Sequence, residues 1–269
     1  MDAPRTTYSE KTIYHPHQAA NQDLVDRCSR FVLEHVPRGG VGVELGCGEG
    51  DIAQPLRSRF TPWISTDISH ERLSWGTQRQ PGGLTPVVCD IFALPFADHS
   101  TEVVSAFYLL EHLTDIQGPL TEAIRILKPG GHLAIVGPNL LSPIFSILSI
   151  GDFIVGRHGP PFVGRRTGNR CPFGNTLLEA IRILIRNLIY LMLTFLSHEP
   201  RWFFRDPDLR EPAHGDTDAS FLCNPLVIRK FLINKGFEIV KYQGQGRTGW
   251  LGALAGGTWI IARKPGLSE

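Results

Sequence analysis

Two periods of apolar residues alternate along this chain. Leu24, Val25, Cys28, Phe31, Val32 and Val36 recur at helical spacing, which predicts a helix over Asn21 to Val36. Pro37-Arg38-Gly39-Gly40 stops it. Val41 to Leu45 reads as a short apolar strand, and Ile52 to Phe60 as a second helix. Trp63 to Thr66 is a strand ending at Asp67, His70 to Arg79 a helix, and Thr85 to Cys89 a strand ending at Asp90. Glu102 to Phe107 (strand), Pro119 to Leu127 (helix), the Lys128-Pro129-Gly130-Gly131 turn and His132 to Val136 (strand) continue the series. After a break, Pro225 to Lys235 reads as a helix, with Phe237 to Tyr242 and Trp259 to Arg263 as closing strands. Alternation at this spacing predicts an α/β fold with a mostly parallel sheet and helices on both faces.

The regular series stops at Gly137-Pro138-Asn139. Residues 140–223 differ in character and read as an insertion into one domain made of 1–139 and 224–269. Thr176 to Leu196 is almost wholly apolar, with Glu179, Arg182 and Arg186 at i, i+3 and i+7 on one helical face. Leu140 to Val155 is also apolar. Between these stretches lies a basic loop with Arg157, His158, Arg165, Arg166 and Arg170. The long helix carries too much charge for a membrane span. A lid packed on the core, a dimer contact and a helix lying in a membrane interface all fit it. Trp202-Phe203-Phe204 adds aromatics of the kind that line pockets or interfaces, so peripheral membrane contact through 140–204 is one expectation. Gly151, Gly156, Gly159 and Gly164 would permit opening and closing.

A strand, then Gly46-x-Gly48-x-Gly50, then a helix forms a loop that brings backbone N–H groups close to a ligand. Glu44, two residues before the first glycine, suits a cationic ligand better than a pyrophosphate. Asp67 ends the next strand, where a carboxylate accepts ribose hydroxyls. Asp90 ends the strand after that. Three acids at three successive strand ends are therefore expected to converge on the mouth of the sheet. A lone glycine motif is weak evidence, and the ordered set is what gives it weight.

Val43-Glu44-Leu45-Gly46-Cys47-Gly48-Glu49-Gly50 resembles the first motif of the class I S-adenosylmethionine-dependent methyltransferases. Val88-Cys89-Asp90-Ile91 with Leu94-Pro95-Phe96 resembles the family's adenine segment. Phe107-Tyr108-Leu109-Leu110-Glu111-His112-Leu113 is similar to the segment after its fourth strand. Glu122 to Gly131 is similar to the helix and turn before its fifth. The resemblance covers Asn21 to Asn139 and about the last forty residues, and matches best the group that methylates small molecules and lipids. It implies a Rossmann-like sheet of seven strands, the last antiparallel, with acceptor-binding structure after strand five. It further implies that Glu44, Gly46, Cys47, Gly48 and Gly50 surround the amino-acid end of S-adenosylmethionine. Asp67 would hold the ribose, Ile68, Asp90 and Ile91 the adenine, and Phe107 and Tyr108 the methyl end.

Methyl transfer from a sulfonium needs a positioned acceptor and a dry site, and a base only when the acceptor loses a proton. His112 is the candidate base. His17, His214, Asp216 and Asp218 are weaker ones. A small lipophilic acceptor methylated on oxygen is the first expectation, with nitrogen and carbon open. The alternative is a protein of the same fold that binds the cofactor without methylating.

Composition narrows this further. A net charge of +1 gives no field toward nucleic acid. Five scattered cysteines without a C-x-x-C pair argue against a disulfide framework or zinc site, and His15-Pro16-His17 lacks further ligand spacing, so no metal is expected. The polar start lacks the apolar run of a signal peptide, so a cytoplasmic protein is expected. Hydrolase and phosphate-loop motifs are absent. Asp51 stands where a nicotinamide-binding G-x-G-x-x-G would need its last glycine.

Overall fold

In a computed structural model of the chain, residues 21–142, 173–205, 219–244, 247–248 and 256–266 are described, with backbone alone for 173–180, 243–244 and 247–248. Eight strands form one sheet: β1 Gly42–Leu45, β2 Trp63–Asp67, β3 Pro86–Val88, β4 Thr101–Phe107, β5 Leu127–Gly137, β6 Glu238–Gly244, β7 Arg247–Thr248 and β8 Thr258–Arg263. Their spatial order is β3-β2-β1-β4-β5-β8-β6-β7. The first five are parallel to their neighbours, and β8 runs antiparallel to both β5 and β6. This is the expected mostly parallel sheet with an antiparallel last strand. The two-residue β7, paired antiparallel with β6 at the edge, is added to it.

Alternation of side chains places two apolar layers on the sheet. On one face Val43, Leu45, Val104, Leu133, Ile135, Ile260 and Ala262 pack against α4 (Gln117–Ile126) and α6 (Pro225–Asn234). On the other, Val103, Ala134, Val136, Trp259 and Ile261 pack against α1 (Gln22–His35) and α2 (Ala53–Leu56). Both faces are covered, so the strands read as near-continuous apolar runs rather than as alternations. Burying each such Val, Leu or Ile contributes about 1.5–3 kcal/mol.

Three helix starts carry side-chain caps. Asn21 accepts from the Asp23 N–H at the head of α1, and Ser69 from the Arg72 N–H at the head of α3 (His70–Arg79). Asn224 accepts from the Leu226 N–H, with Pro225 in the first turn of α6 where its missing N–H costs nothing.

Two local expectations are corrected. The predicted helix over Ile52 to Phe60 is regular only over Ala53–Leu56. Beyond Leu56 the chain tightens, with the Arg59 and Phe60 N–H groups both donating to the Leu56 carbonyl (2.9 and 3.1 Å). The turn drives Phe60 into the core and is tied down by the Arg59 guanidinium on the Leu33 carbonyl (2.8 Å). The Lys128–Gly131 turn lies within β5. Thr101 pairs with Leu127 and Val103 with His132, so residues 128–131 loop out of the ladder. Gly130, at φ +78°, donates to the Lys264 carbonyl, and the Lys264 N–H returns a bond to Gly131.

The insertion supplies α5 (Phe173–Leu196). Its Asn187 donates to the Leu140 carbonyl (3.2 Å), and Tyr190 stacks on Phe203 at 4.1 Å between centroids. Leu140, Leu141, Ala219 and Leu222 form a small core beneath. The Lys230 ammonium of α6 bonds the Thr194 carbonyl (2.6 Å) and the Ser197 carbonyl, holding the C-terminal end of α5. No described helix is long and apolar enough to cross a membrane. His15, His17, Arg157, His158, Arg165, Arg166, Arg170, Cys171, His214, Asp216, Asp218 and the glycines from 151 to 164 lie outside the described residues.

Candidate functional site

Adjacent parallel strands β1 and β4 send their chains to opposite sides, β1 toward β2 and β4 toward β5. In open α/β sheets the crevice at the carboxyl ends of such a pair binds ligands. The loops after β1 and β4 meet there. Gly46 has φ +61°, and a Cβ on it would lie 2.5 Å from the Leu109 side chain. Gly48 has φ +57°, and its Cβ would fall 2.8 Å from the Arg72 guanidinium. Both positions therefore need glycine for conformation and for room.

The loop is held by groups from β2. The Cys47 N–H donates to the Thr66 carbonyl (2.9 Å). The buried carboxylate of Asp67 accepts from the Gly48 N–H (2.8 Å) with one oxygen and the Ser69 N–H (2.9 Å) with the other. Asp67 thus joins the glycine loop to the head of α3. Each oxygen retains a further acceptor lone pair. Arg79 of α3 adds ion pairs to Glu49 (2.9 Å) and Asp51 (2.7 Å), which gives Asp51 a structural role in this loop.

The predicted acids differ in exposure. Glu44 is 2% exposed and accepts a bond from the Trp63 indole N–H (3.3 Å). Burial pushes its carboxyl up to about 8, against the Trp63 bond that favours the anion, with Asp51 and Asp67 adding to the rise. A carboxyl here is neutral over much of the neutral range and ionises readily only beside a cation. Asp90 is exposed at the end of β3 and accepts from the Phe92 N–H (2.9 Å). Ile68 is 52% exposed, an apolar face turned to solvent beside Asp67. Ile91 packs against the core at 9% exposure.

On the other side of the crevice, Phe107 is buried at the end of β4. Tyr108 takes φ +51°, a sparsely populated conformation for a bulky residue, and its N–H donates to the Val136 carbonyl (2.7 Å). His112 closes a short 3-10 turn, Leu110–His112, half-buried just beyond. Burial raises the thiol of Cys47 well above its ordinary value, so it serves as packing rather than as a nucleophile. Among the described residues no group of His, Cys, Asp and Glu is arranged to hold a metal.

Three residues of this region escaped the sequence reading. Arg72 places a guanidinium against Gly48, and Ser69 caps the helix that carries it. Glu111 is 1% exposed at the β4–β5 end, and its carbonyl accepts from the Ser220 and Phe221 N–H groups (2.7 and 3.0 Å). That stitches the returning insertion to the site. The acid immediately before His112 was its sequence signal.

The methyltransferase-domain family matches residues 43–135. A ubiquinone/menaquinone biosynthesis C-methyltransferase of Desulfotalea psychrophila is 33% identical over 144 residues, 52% of this chain and 58% of that protein. A demethylmenaquinone methyltransferase of Thermobifida fusca is 32% identical over 134 residues, 48% of this chain and 55% of that protein. The chain spans little more than half the length of these curated relatives. Among solved structures, an S-adenosylmethionine-dependent methyltransferase of Mesorhizobium loti aligns over 89% of this chain and 100% of its own, with TM-score 0.58 and 17% identity. The PH0226 protein of Pyrococcus horikoshii aligns over 93% of each chain at TM-score 0.54 and 12% identity. At these identities the likeness is one of fold.

Proposed function

We propose, for a chain that belongs to the class I S-adenosylmethionine-dependent methyltransferases, methyl transfer to a small lipophilic acceptor. The observation that carries this reading is the glycine loop pinned by Asp67 at the switch point between β1 and β4. The charges fit the cofactor. Glu44, Asp67 and Asp90 disfavour a pyrophosphate and suit a ligand bearing an ammonium and a sulfonium. S-adenosylmethionine, when bound, supplies an electrophilic methyl group on a good leaving group.

The rest of the work falls to this chain's residues. The Arg72 guanidinium, beside Gly48, would hold the carboxylate of the amino-acid end, while the Cys47, Gly48 and Gly50 N–H groups are donated within the protein and fix the loop's shape. Glu44 ionises toward the ammonium from below. Asp67 takes the ribose hydroxyls on its remaining lone pairs, and Ile68 and Asp90 border the adenine. Ile91 stands beside Asp90 on the same border. Phe107 and Tyr108 keep the methyl end dry.

The names of the curated relatives move the favoured acceptor atom from oxygen to carbon, on a ring of the quinone-precursor type. In that transfer the sulfur–methyl bond breaks, a carbon–carbon bond forms, and the ring carbon then loses its proton. In this reading His112, on the turn after β4, takes that proton, directly or through water. A bilayer-dissolved acceptor would require the protein to meet the membrane peripherally.

Incubation with methyl-labelled S-adenosylmethionine and an extract of hydroxylated quinone precursors tests the reading. The expected result is S-adenosylhomocysteine formed only with acceptor, the label on a ring carbon, and a turnover loss of about 100-fold or more in His112→Gln with cofactor affinity retained. Label on oxygen would overturn the carbon assignment. Cofactor binding without transfer to any lipid acceptor would favour the non-methylating alternative.

A further inference from the structure

The polar edge of α5 and its docked edge leave a third side turned to solvent. Ile181, Ile185, Leu188, Ile189, Met192, Phe195 and Leu196 are 39–72% exposed. At 100° per residue they fall within an arc of about 120°. Asn187, Leu191 and Thr194, on the far side, are buried against the domain. This amphipathic helix therefore presents its apolar stripe outward, and water meets it at a cost that scales with the apolar area.

The border of the stripe indicates its occupant. Arg182 is exposed along one edge, and Arg186, one turn on, lies half-buried with its guanidinium over the Tyr190 ring at 6.0 Å. Residues 181–196 contain no acid, and Glu179, one turn before, leaves the row net positive. Beyond the helix the Glu199 carboxylate accepts from Asn234 of α6, on the docked side. Pairing with a second copy would bring arginine rows together across an interface with no acid on 181–196 to meet them. An anionic lipid surface neutralises the same row while the apolar stripe enters the acyl boundary. The docked side of α5 is tied near the end of β5, where Asn187 bonds the Leu140 carbonyl.

We propose that α5 docks the protein in-plane on an anionic membrane surface through Ile181 to Leu196, with Arg182 at the headgroup level and Arg186, bonded to Asn187, adding its charge from behind the edge. The docking stands on α5 itself; only its link to a bilayer-dissolved acceptor rests on the methyl-transfer reading.

Vesicle co-sedimentation of the full chain tests it, using phosphatidylcholine alone and phosphatidylcholine mixed equally with phosphatidylglycerol. Wild type is expected to bind the mixed vesicles, and more weakly in about 0.5 M salt, where surface charge is screened within a few ångströms. The triple variant Leu188→Ser, Met192→Ser, Phe195→Ser removes exposed side chains only, and is expected to lose at least about tenfold in binding to both vesicles. Arg182→Gln should lose about fivefold on mixed vesicles and nothing on neutral ones. Absence of binding by folded wild type, or equal binding by the triple variant, overturns the proposal. So does a wild-type dimer in sedimentation that the triple variant dissociates, which would assign the stripe to a second copy. S-adenosylmethionine binding measured on the same preparations separates the two readings: vesicle binding lost with cofactor binding intact sinks the docking alone, and the reverse sinks the cofactor assignment alone.

Discussion

Replacing Glu44 by Gln tests the electrostatics of the site in one step. The folded protein holds the Glu44 carboxyl at about 8, against an ordinary value of 4.5, chiefly because it is buried. Between those values the native state keeps a proton that the unfolded chain has released. The stabilising contribution of the protonated group is fully present below 4.5 and is lost as pH rises toward 8. The slope is about 1.4 kcal/mol per pH unit, or about 4–5 kcal/mol across the window. Gln keeps an acceptor for the Trp63 indole N–H but never ionises. Urea unfolding of both proteins at intervals from pH 5 to 8 should give curves that nearly coincide at pH 5. They should diverge steadily, with Glu44→Gln the more stable by roughly 3 kcal/mol at pH 7. Binding of a cationic ligand should reverse the balance by ionising Glu44. Calorimetry at pH 7 in buffers of different ionisation enthalpy should then show proton release from wild type and none from the variant. Parallel stability profiles from pH 5 to 8 would refute the reasoning, since they would mean that Glu44 is ionised and solvated in the folded state.

Other substitutions probe the elements that hold the site. Gly76→Ala sits inside α3, where alanine ordinarily stabilises a helix by about 1 kcal/mol. Here its Cβ would lie 2.2 Å from the Glu49 carbonyl oxygen, so the sign should reverse, to a loss of about 2–4 kcal/mol in denaturant titration. Lys230→Ala removes two bonds to the end of α5 and should cost about 1–2 kcal/mol. It should also make the segment after Thr194 the first site of limited proteolysis, with the sheet still protected.

The periodicities located nearly every element because both sheet faces are covered and α1, α3 and α6 each start on a side-chain cap. His70–Arg79, for instance, is bounded by Ser69 at one end and by Gln80 before the Pro81 turn at the other. The Ile52 to Phe60 helix was overread because apolar spacing does not distinguish a helix from a turn that buries Phe60 by tightening. In the site, the glycines and Asp67 were legible because spacing after a strand dictates their placement. Glu44 was legible as a residue, but its burial and its bond to the Trp63 indole were not, because Trp63 comes from the neighbouring strand. Arg72 was invisible as a site member because an arginine in a helix carries no signal until the chain folds it against Gly48, and Glu111 had only its place before His112 to mark it until the fold set it against Gly137. The outward face of α5 was likewise hidden, since its apolar run predicts burial equally well.

The cofactor assignment is tested most directly by calorimetric titration of the full chain with S-adenosylmethionine, beside Asp67→Ala checked for native secondary structure. Saturable binding to one site, weakened in the variant by roughly 1–3 kcal/mol through loss of the group that holds Gly48 and Ser69, is the predicted result. A folded wild-type protein that binds no S-adenosylmethionine, with or without anionic vesicles present, would contradict it.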